Sequence, residues 1–322
     1  MTVEDHDSEY MRPFDKVFAK HEGMGKVVKG EVVEVDGEGK VVVVDDGQRI
    51  SYDVLILASG CTWADPISPP TAKSEIVSYF QSMRANIVSA NNVVVLGGGV
   101  VGCEFAAEVK DRFPLKSVTV VHNQGLPGSE SYDMKLRRGI ANVLEKLEVN
   151  VLYDSRGEED AEAGKVVVTP AEEGSSTPAK EIPADAVFKC SIGKPNTKYA
   201  PDAWKDSRGV IKVKQTFQLL SDPTIFAIGD INDIIETKQA THASGNTIPV
   251  LSANVLAVLK GEEAKKLYTT QLNGVGMVMG RRNAVGVFQL PLVGMRQLPS
   301  FAIRKFKGED MLAGVFNKSL GY

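Results

Sequence analysis

At 322 residues the chain is long enough for two domains, each with a sizeable core. Its 43% hydrophobic and 24% charged residues are those of a globular protein, and a net charge of −4, from 37 basic and 41 acidic residues, argues against nucleic acid as its main partner. No apolar run approaches the roughly 20 residues that span a bilayer, and the acidic start Met1-Thr2-Val3-Glu4-Asp5-His6-Asp7 is unlike a signal or transit peptide. Cys61, Cys103 and Cys190 form no CxxC or CxxxxC pair, which excludes a redox-active dithiol within the chain and points to a reducing, cytoplasmic setting. No metal-ligand set is identified.

Residues 1–25 are polar and expected to be poorly ordered. Two β-rich runs, 26–35 and 40–44, are joined by Asp36-Gly37-Glu38-Gly39, the turn chemistry of a hairpin. Residues 52–58 then read as a buried strand ending in Ser59-Gly60, and 74–88 as a helix.

The most informative stretch follows. Asn92-Val93-Val94-Val95-Leu96 has the length and β-branching of a buried parallel strand, and Gly97-Gly98-Gly99-Val100-Val101-Gly102 comes directly after it. This is GxGxxG in the right place, with a helix opening at Cys103 and a second strand at 117–121. Gly97 permits the tight turn, Gly99 lets backbone approach a pyrophosphate, and Gly102 lets the helix close on the strand. About twenty residues past the glycines an NAD-specific site usually carries Asp or Glu for the ribose 2′-OH. Here stands His122, so NADPH is expected to be tolerated alongside NADH, and a protonated His122 would favour it. The alternative is a merely solvated strand end.

A helix is expected over 132–147 and a short strand over 149–152. Residues 155–183 read as a small β excursion with one strand, 165–169, between solvated loops. The strand 184–190 closes this domain, which leaves through Ser191-Ile192-Gly193. Further on, Thr224-Ile225-Phe226-Ala227-Ile228-Gly229-Asp230 is an apolar strand delivering Gly-Asp to its carboxyl edge. Asp230 there is either an acceptor for the hydroxyls of a bound polyol or part of a solvated turn. Between Ala264 and Gly308 there is no Asp or Glu, while Lys265, Lys266, Arg281, Arg282, Arg296, Arg304, Lys305 and Lys307 are interleaved with apolar residues. Such a face suits an anionic membrane surface. Equally, it is the polar side of a β/α element whose apolar side packs on a neighbouring domain or on a second copy of the chain, as a homodimer.

Taken together, Ala58-Ser59-Gly60, Gly97 to Gly102 with Glu104 behind it, Ser191-Ile192-Gly193 and Thr224 to Asp230 resemble the flavoprotein pyridine-nucleotide oxidoreductases with two dinucleotide-binding domains. Residues 93–108, 118–122, 225–230 and 238–245 are similar to the apoptosis-inducing-factor-like branch that includes ferroptosis suppressor protein, itself similar to single-subunit NAD(P)H:quinone reductases. The resemblance implies an α/β fold with two Rossmann-like domains. The expected plan is a partial FAD domain over 26–72, an NAD(P) domain over 73–195, the remaining FAD domain over 196–263, and a small α+β carboxyl-terminal interface region over 264–322.

It implies hydride transfer from NAD(P)H to FAD and on to a quinone or similar acceptor. Gly97, Gly98, Gly99, Val100 and Gly102 would hold the NAD(P)H pyrophosphate, with His122 nearby and Glu104 beside the nicotinamide ribose. Gly60, Gly193, Gly229 and Asp230 would belong to the flavin site. Lys238 and the helix starting near Ala243 and Gly245 would sit by the isoalloxazine, unless Lys238 is only a solvated loop lysine; Lys238 and Glu104 are the catalytic candidates. The family opens with its own strand, GxGxxG and helix for the ADP half of FAD, and nothing of that kind precedes Lys26. A non-catalytic NAD(P)-binding remnant, or a fragment of a longer enzyme, therefore stays open as a rival reading. The expected location is the cytoplasm, with association to membranes or lipid droplets through the basic carboxyl end.

Overall fold

The computed structural model describes residues 12–21, 23–64, 68–190, 193–234, 247–269, 274–290, 292–307, 317–318 and 320–321. The chain divides into two compact units, one formed by 27–62 with 193–272, the other by the remaining segments, chiefly 63–192 with 273–322. In chain order the first unit opens with β1 (Val32–Asp36), β2 (Val41–Val44), β3 (Arg49–Ser51), β4 (Leu55–Leu57) and β5 (Cys61–Thr62). The second follows with α1 (Lys73–Ser89), β6 (Asn92–Leu96), α2 (Val100–Arg112), β7 (Ser117–Val121), α3 (Met134–Lys146), β8 (Asn150–Leu152), β9 (Ser155–Asp160), β10 (Lys165–Pro170), β11 (Lys180–Pro183) and β12 (Ala186–Lys189). The chain returns to the first unit for β13 (Lys194–Pro195), β14 (Ile225–Ala227) and α4 (Ile248–Leu259). It ends in the second with β15 (Gly274–Val278), β16 (Ala284–Leu290), β17 (Gly294–Gln297) and α5 (Ser300–Lys307).

The second unit is built on a parallel sheet in the order β12-β6-β7-β8. Its central strands are valine-rich because both faces are covered, as a parallel sheet requires. Val93, Val95, Val118 and Val120 join one core with Met83 and Ile87 of α1, Phe105, Ala106 and Val109 of α2, and Leu136, Ile140 and Leu144 of α3. Val94 and Val121 point the other way, onto Val166 and Val168 of β10. The excursion over 155–183 differs from expectation here: it is a three-stranded antiparallel sheet, β11-β10-β9. Ser-Arg-Gly-Glu-Glu-Asp and Lys-Glu-Ile-Pro carry almost no strand signal of their own. They become strands because β10, with its inward valines, must cover the parallel sheet and leaves two edges to pair.

The carboxyl-terminal segment forms an antiparallel sheet, β15-β16-β17. Expected against a flavin domain or a second subunit, its apolar side is found on the helices of its own unit: Met277, Met279, Val285 and Val287 join the core made by α2 and α3. Alternation along a strand then puts Gly276 and Gly286 on the opposite face, where they are cross-strand partners. Their missing side chains leave a slot for Ile303 of α5. A Cβ at Gly286 would meet Ile303 Cδ1 and the Val275 carbonyl oxygen, each at 2.8 Å.

In the first unit β14 and β4 form a parallel pair, with Ile225 opposite Leu55 and Ala227 opposite Leu57. Side chains alternate across it, Ile225 and Ala227 packing with Val35, Leu57 and Trp204, and Phe226 with Phe217, Val250 and Tyr268. The expected hairpin is present as β1–β2, with Asp36 opposite Val41, and β3 extends it.

Ile303 is only 1% exposed, so Ile303→Ala leaves a cavity rather than a surface scar. A loss of about 2–4 kcal/mol is expected in denaturant unfolding, with Gly286→Val comparably damaging. A loss below about 1 kcal/mol for Ile303→Ala would show that α5 does not lock the sheet.

Candidate functional site

The turn between β6 and α2 is shaped by glycines with separable roles. Gly97 has φ of +114°, a backbone that other residues rarely adopt, and its N–H donates to Val121 O at 2.9 Å. A Cβ on Gly102 would collide with the Gly97 carbonyl oxygen and lie 3.2 Å from Cys190 Cβ, so only glycine lets α2 start this close to β6 and β12. Gly99 is the N-cap of α2 and offers no side-chain cap, and a Cβ there would meet nothing within 4 Å. An uncapped helix N-terminus facing open space, with no acidic residue in its first turn, fits a pyrophosphate.

Gly98 has a different task. Its N–H donates to His122 Nδ1 at 3.2 Å, and its carbonyl accepts from Gly128 N at 2.8 Å and from Cys103 Sγ at 3.2 Å. His122 is therefore not a solvated strand end, and its surroundings work against the protonated ring that would favour NADPH. The side chain is buried, and burial lowers its pKa. The carbonyls of Leu126 and Gly128 and the charge of Asp154 favour the cation but do not outweigh desolvation, to which Arg137 adds. With Nδ1 accepting, the proton sits on Nε2, a buried donor without a hydrogen-bond partner among the described residues.

Two charged groups that sequence reasoning missed flank the same loop. Arg137, buried on α3, donates through Nε to Pro127 O and through one terminal nitrogen to Leu126 O and Gln124 Oε1. Asp154, past the end of β8, places both carboxylate oxygens 3.6 Å from where a Gly125 Cβ would be, and its N–H donates to Gln124 O. A carboxylate thus does stand beside the loop, from the residues that follow β8, and a buried guanidinium is bonded to the loop's carbonyls. Neither carried a motif signal, because strand and helix neighbours are distant in sequence.

Glu104 is placed against the carboxyl-terminal sheet, its Oε1 accepting from Val278 N–H at 3.1 Å. Burial, and secondarily the Glu104 charge, pushes the Tyr132 hydroxyl pKa up. Cys103 and Cys190 are both held as thiols, burial raising each to about 12.

In the first unit, parallel pairing brings the carboxyl ends of β4 and β14 to one edge, although more than a hundred residues separate them. Gly60, φ +65°, leaves one strand and Gly229, φ +74°, leaves the other; a Cβ on either would meet no atom within 4 Å. Asp230 lies in the 3-10 turn Gly229–Ile231, and its carbonyl accepts from Cys61 Sγ at 3.7 Å. Behind it Asn232, fully buried, donates to Ala227 O and accepts from Ile234 N, fixing the turn. Gly193 opens the return segment. Lys238, Ala243 and Gly245 lie outside the described residues. Thr247, the N-cap of α4, is buried, and its hydroxyl has no hydrogen-bond partner among the described residues. Two open glycines at a shared carboxyl edge and an orphaned hydroxyl at a helix N-terminus fit the sugar-chain and ring portions of a flavin nucleotide.

With no carboxylate at 122 but Asp154 and Arg137 both beside the loop that follows β7, NADH and NADPH affinities are expected within about tenfold, or roughly 1.4 kcal/mol. Asp154→Asn should move the ratio towards NADPH in fluorescence titrations; an NADH preference above a hundredfold in the unsubstituted protein would contradict this account. Gly99→Val should abolish binding of both. An imidazole with a depressed pKa supports the folded loop fully above its ordinary value near 6.5 and progressively loses that support as pH falls below it. Nucleotide affinity should therefore fall on acidification in the unsubstituted protein. It should fall less in His122→Asn, whose amide oxygen can accept from Gly98 without titrating.

Comparison with known proteins agrees with this geometry. Residues 2–245 match the pyridine nucleotide-disulphide oxidoreductase family. The FAD-dependent oxidoreductase FVFD30 of Flammulina velutipes is 33% identical over 296 residues, covering 89% of this chain and 89% of that protein. Ferroptosis suppressor protein 1 of Mus musculus is 26% identical over 297 residues, covering 91% and 78%. Among solved structures, the sulfide:quinone oxidoreductase of Aquifex aeolicus shares the fold with a TM-score of 0.66 at 13% identity, over 91% of this chain and 75% of that one. The chain belongs to the pyridine nucleotide-disulphide oxidoreductases, in the branch similar to apoptosis-inducing factor and ferroptosis suppressor protein, whose cofactors are FAD and NAD(P)H.

Proposed function

We propose that this oxidoreductase passes reducing equivalents from NAD(P)H to a quinone or a similar small acceptor. FAD, when bound, accepts hydride from the nicotinamide and returns electrons to the acceptor. The observation that carries the choice of acceptor is the state of the cysteines: Cys103 and Cys190 are held as thiols near pKa 12, and neither they nor Cys61 form a disulfide. A route through a protein dithiol is not served by these groups, whereas a small molecule reduced directly needs none.

The residues divide the work as follows. The open N-terminus of α2 at Gly99 holds the nucleotide pyrophosphate, and the Gly98 peptide, pinned from both sides, keeps that cradle from relaxing. Asp230 accepts hydrogen bonds from the flavin's polyol hydroxyls, and the N-terminus of α4 with the Thr247 hydroxyl offers donors to an electron-rich ring edge. Glu104 and Lys238 are assigned to the nicotinamide ribose and to the isoalloxazine by the family resemblance. The Val278 N–H that Glu104 already binds fixes the rotamer of its carboxylate.

The direct test is the colour and turnover of the purified chain. Supplied with FAD, it should oxidise NAD(P)H with a water-soluble quinone as acceptor and leave a small disulfide unreduced. Asp230→Ala removes charge-assisted hydrogen bonds of about 1.5–3 kcal/mol and should lower flavin occupancy at least tenfold while nucleotide titration by the other unit is unchanged. Equal rates with quinone and disulfide, or flavin retained in full by the variant, would reject the assignment.

A further inference from the structure

The outer face of the carboxyl-terminal sheet and helix plays no part in the nucleotide site, and its chemistry is unusual for a chain of net negative charge. Between Gly274 and Lys307 there are six Lys and Arg and no Asp or Glu. The inner face of this sheet is packed on α2 and α3, and α5 is fastened to the outer face through Ile303. What remains on α5 is a patch in which Phe301, Arg304 and Lys305, spaced i, i+3 and i+4, share one side of the helix. Phe301 is 71% exposed and both cations are exposed. The turn between β16 and β17 adds Leu292, fully exposed, and Val293, 49% exposed, with Arg296 exposed on the strand that follows. Among the described residues Arg296, Arg304 and Lys305 form no ion pair, whereas Arg281 is held by Asp111 at 3.1 Å.

We propose that this face docks on an anionic lipid bilayer, Leu292, Val293 and Phe301 entering the interfacial region while Arg296, Arg304 and Lys305 stay at the headgroups. Aliphatic tips projecting beside snorkelling cations are the pairing an interfacial element needs. The same cations argue against a second copy of the chain as occupant, since a two-fold contact would set like charges against each other. Exposed leucine and valine have no use on a phosphodiester backbone, which argues against nucleic acid. Docking does not depend on which acceptor the flavin reduces, so it stands or falls apart from the quinone assignment.

The test uses the full chain in co-sedimentation with vesicles of phosphatidylcholine alone and of equal parts phosphatidylcholine and phosphatidylserine. Binding is expected on the anionic vesicles only and should weaken as salt rises, because the Debye length shrinks to about 10 Å at 0.1 M. Each cation lost should cost roughly fivefold in partition, so Arg304→Glu with Lys305→Glu should lower binding at least tenfold. Phe301→Ser should lower it while leaving the salt dependence unchanged. Unaltered NADH titration would show that each variant is folded. Equal recovery on neutral and anionic vesicles, no recovery on either, a dimer dispersed by Phe301→Ser, or preferential capture of duplex DNA at the same salt would each overturn the proposal.

Discussion

The distance between α2 and β6 is the constraint on which the nucleotide unit rests. It is set where Gly102 passes the Gly97 carbonyl oxygen, with no room for a Cβ. Because that contact can close, the first turn of α2 begins directly at the sheet edge, its uncapped N–H groups face outward at Gly99, and the helix can bury Phe105, Ala106 and Val109 beneath the strands. Widening it would disturb anion binding and core packing together. The same residue type is used for a different purpose at Gly276 and Gly286, where missing side chains admit Ile303 and so fasten α5 to the molecule.

The electrostatics of the loop after β7 follow from which groups are buried and which are exposed. His122 spends its acceptor nitrogen on Gly98, and burial keeps the ring neutral. Charge near that position comes instead from Asp154, exposed at the end of β8, and from Arg137, buried and satisfied by loop carbonyls. A buried guanidinium bonded to carbonyl oxygens retains its field, since carbonyl dipoles solvate the charge without cancelling it. Opposite charges beside one loop are the reason comparable affinity for the two nucleotides is expected.

In the flavin unit the parallel pairing of β4 with β14 performs the equivalent assembly. It brings two glycine turns to one edge and seats Asp230 on a turn braced by Asn232. Both faces of the pair are filled, Phe226 against Phe217 and Tyr268 and Ile225 against the Trp204 cluster, which holds the edge still while the turns remain open. The redox chemistry belongs to the cofactors; positioning and donor groups belong to this scaffold.

Local patterns determined a good deal of this in advance. Valine runs marked the parallel strands, the glycine spacing marked the β6–α2 turn, and Asp36-Gly37-Glu38-Gly39 marked a hairpin, because backbone conformation and two-sided burial leave their trace in adjacent residues. What tertiary structure alone decided was which distant groups share a neighbourhood. Ser155–Asp160 and Lys180–Pro183 became strands only because β10 offered its edges; Val278 of the carboxyl-terminal sheet came to hold Glu104; and His122, polar at a strand end, was buried and kept neutral by the loop folded over it. Asp154 and Arg137 gained their place beside the nucleotide site in the same way. Desolvation and charge proximity depend on three-dimensional neighbours, and the order of residues along a chain does not encode them locally.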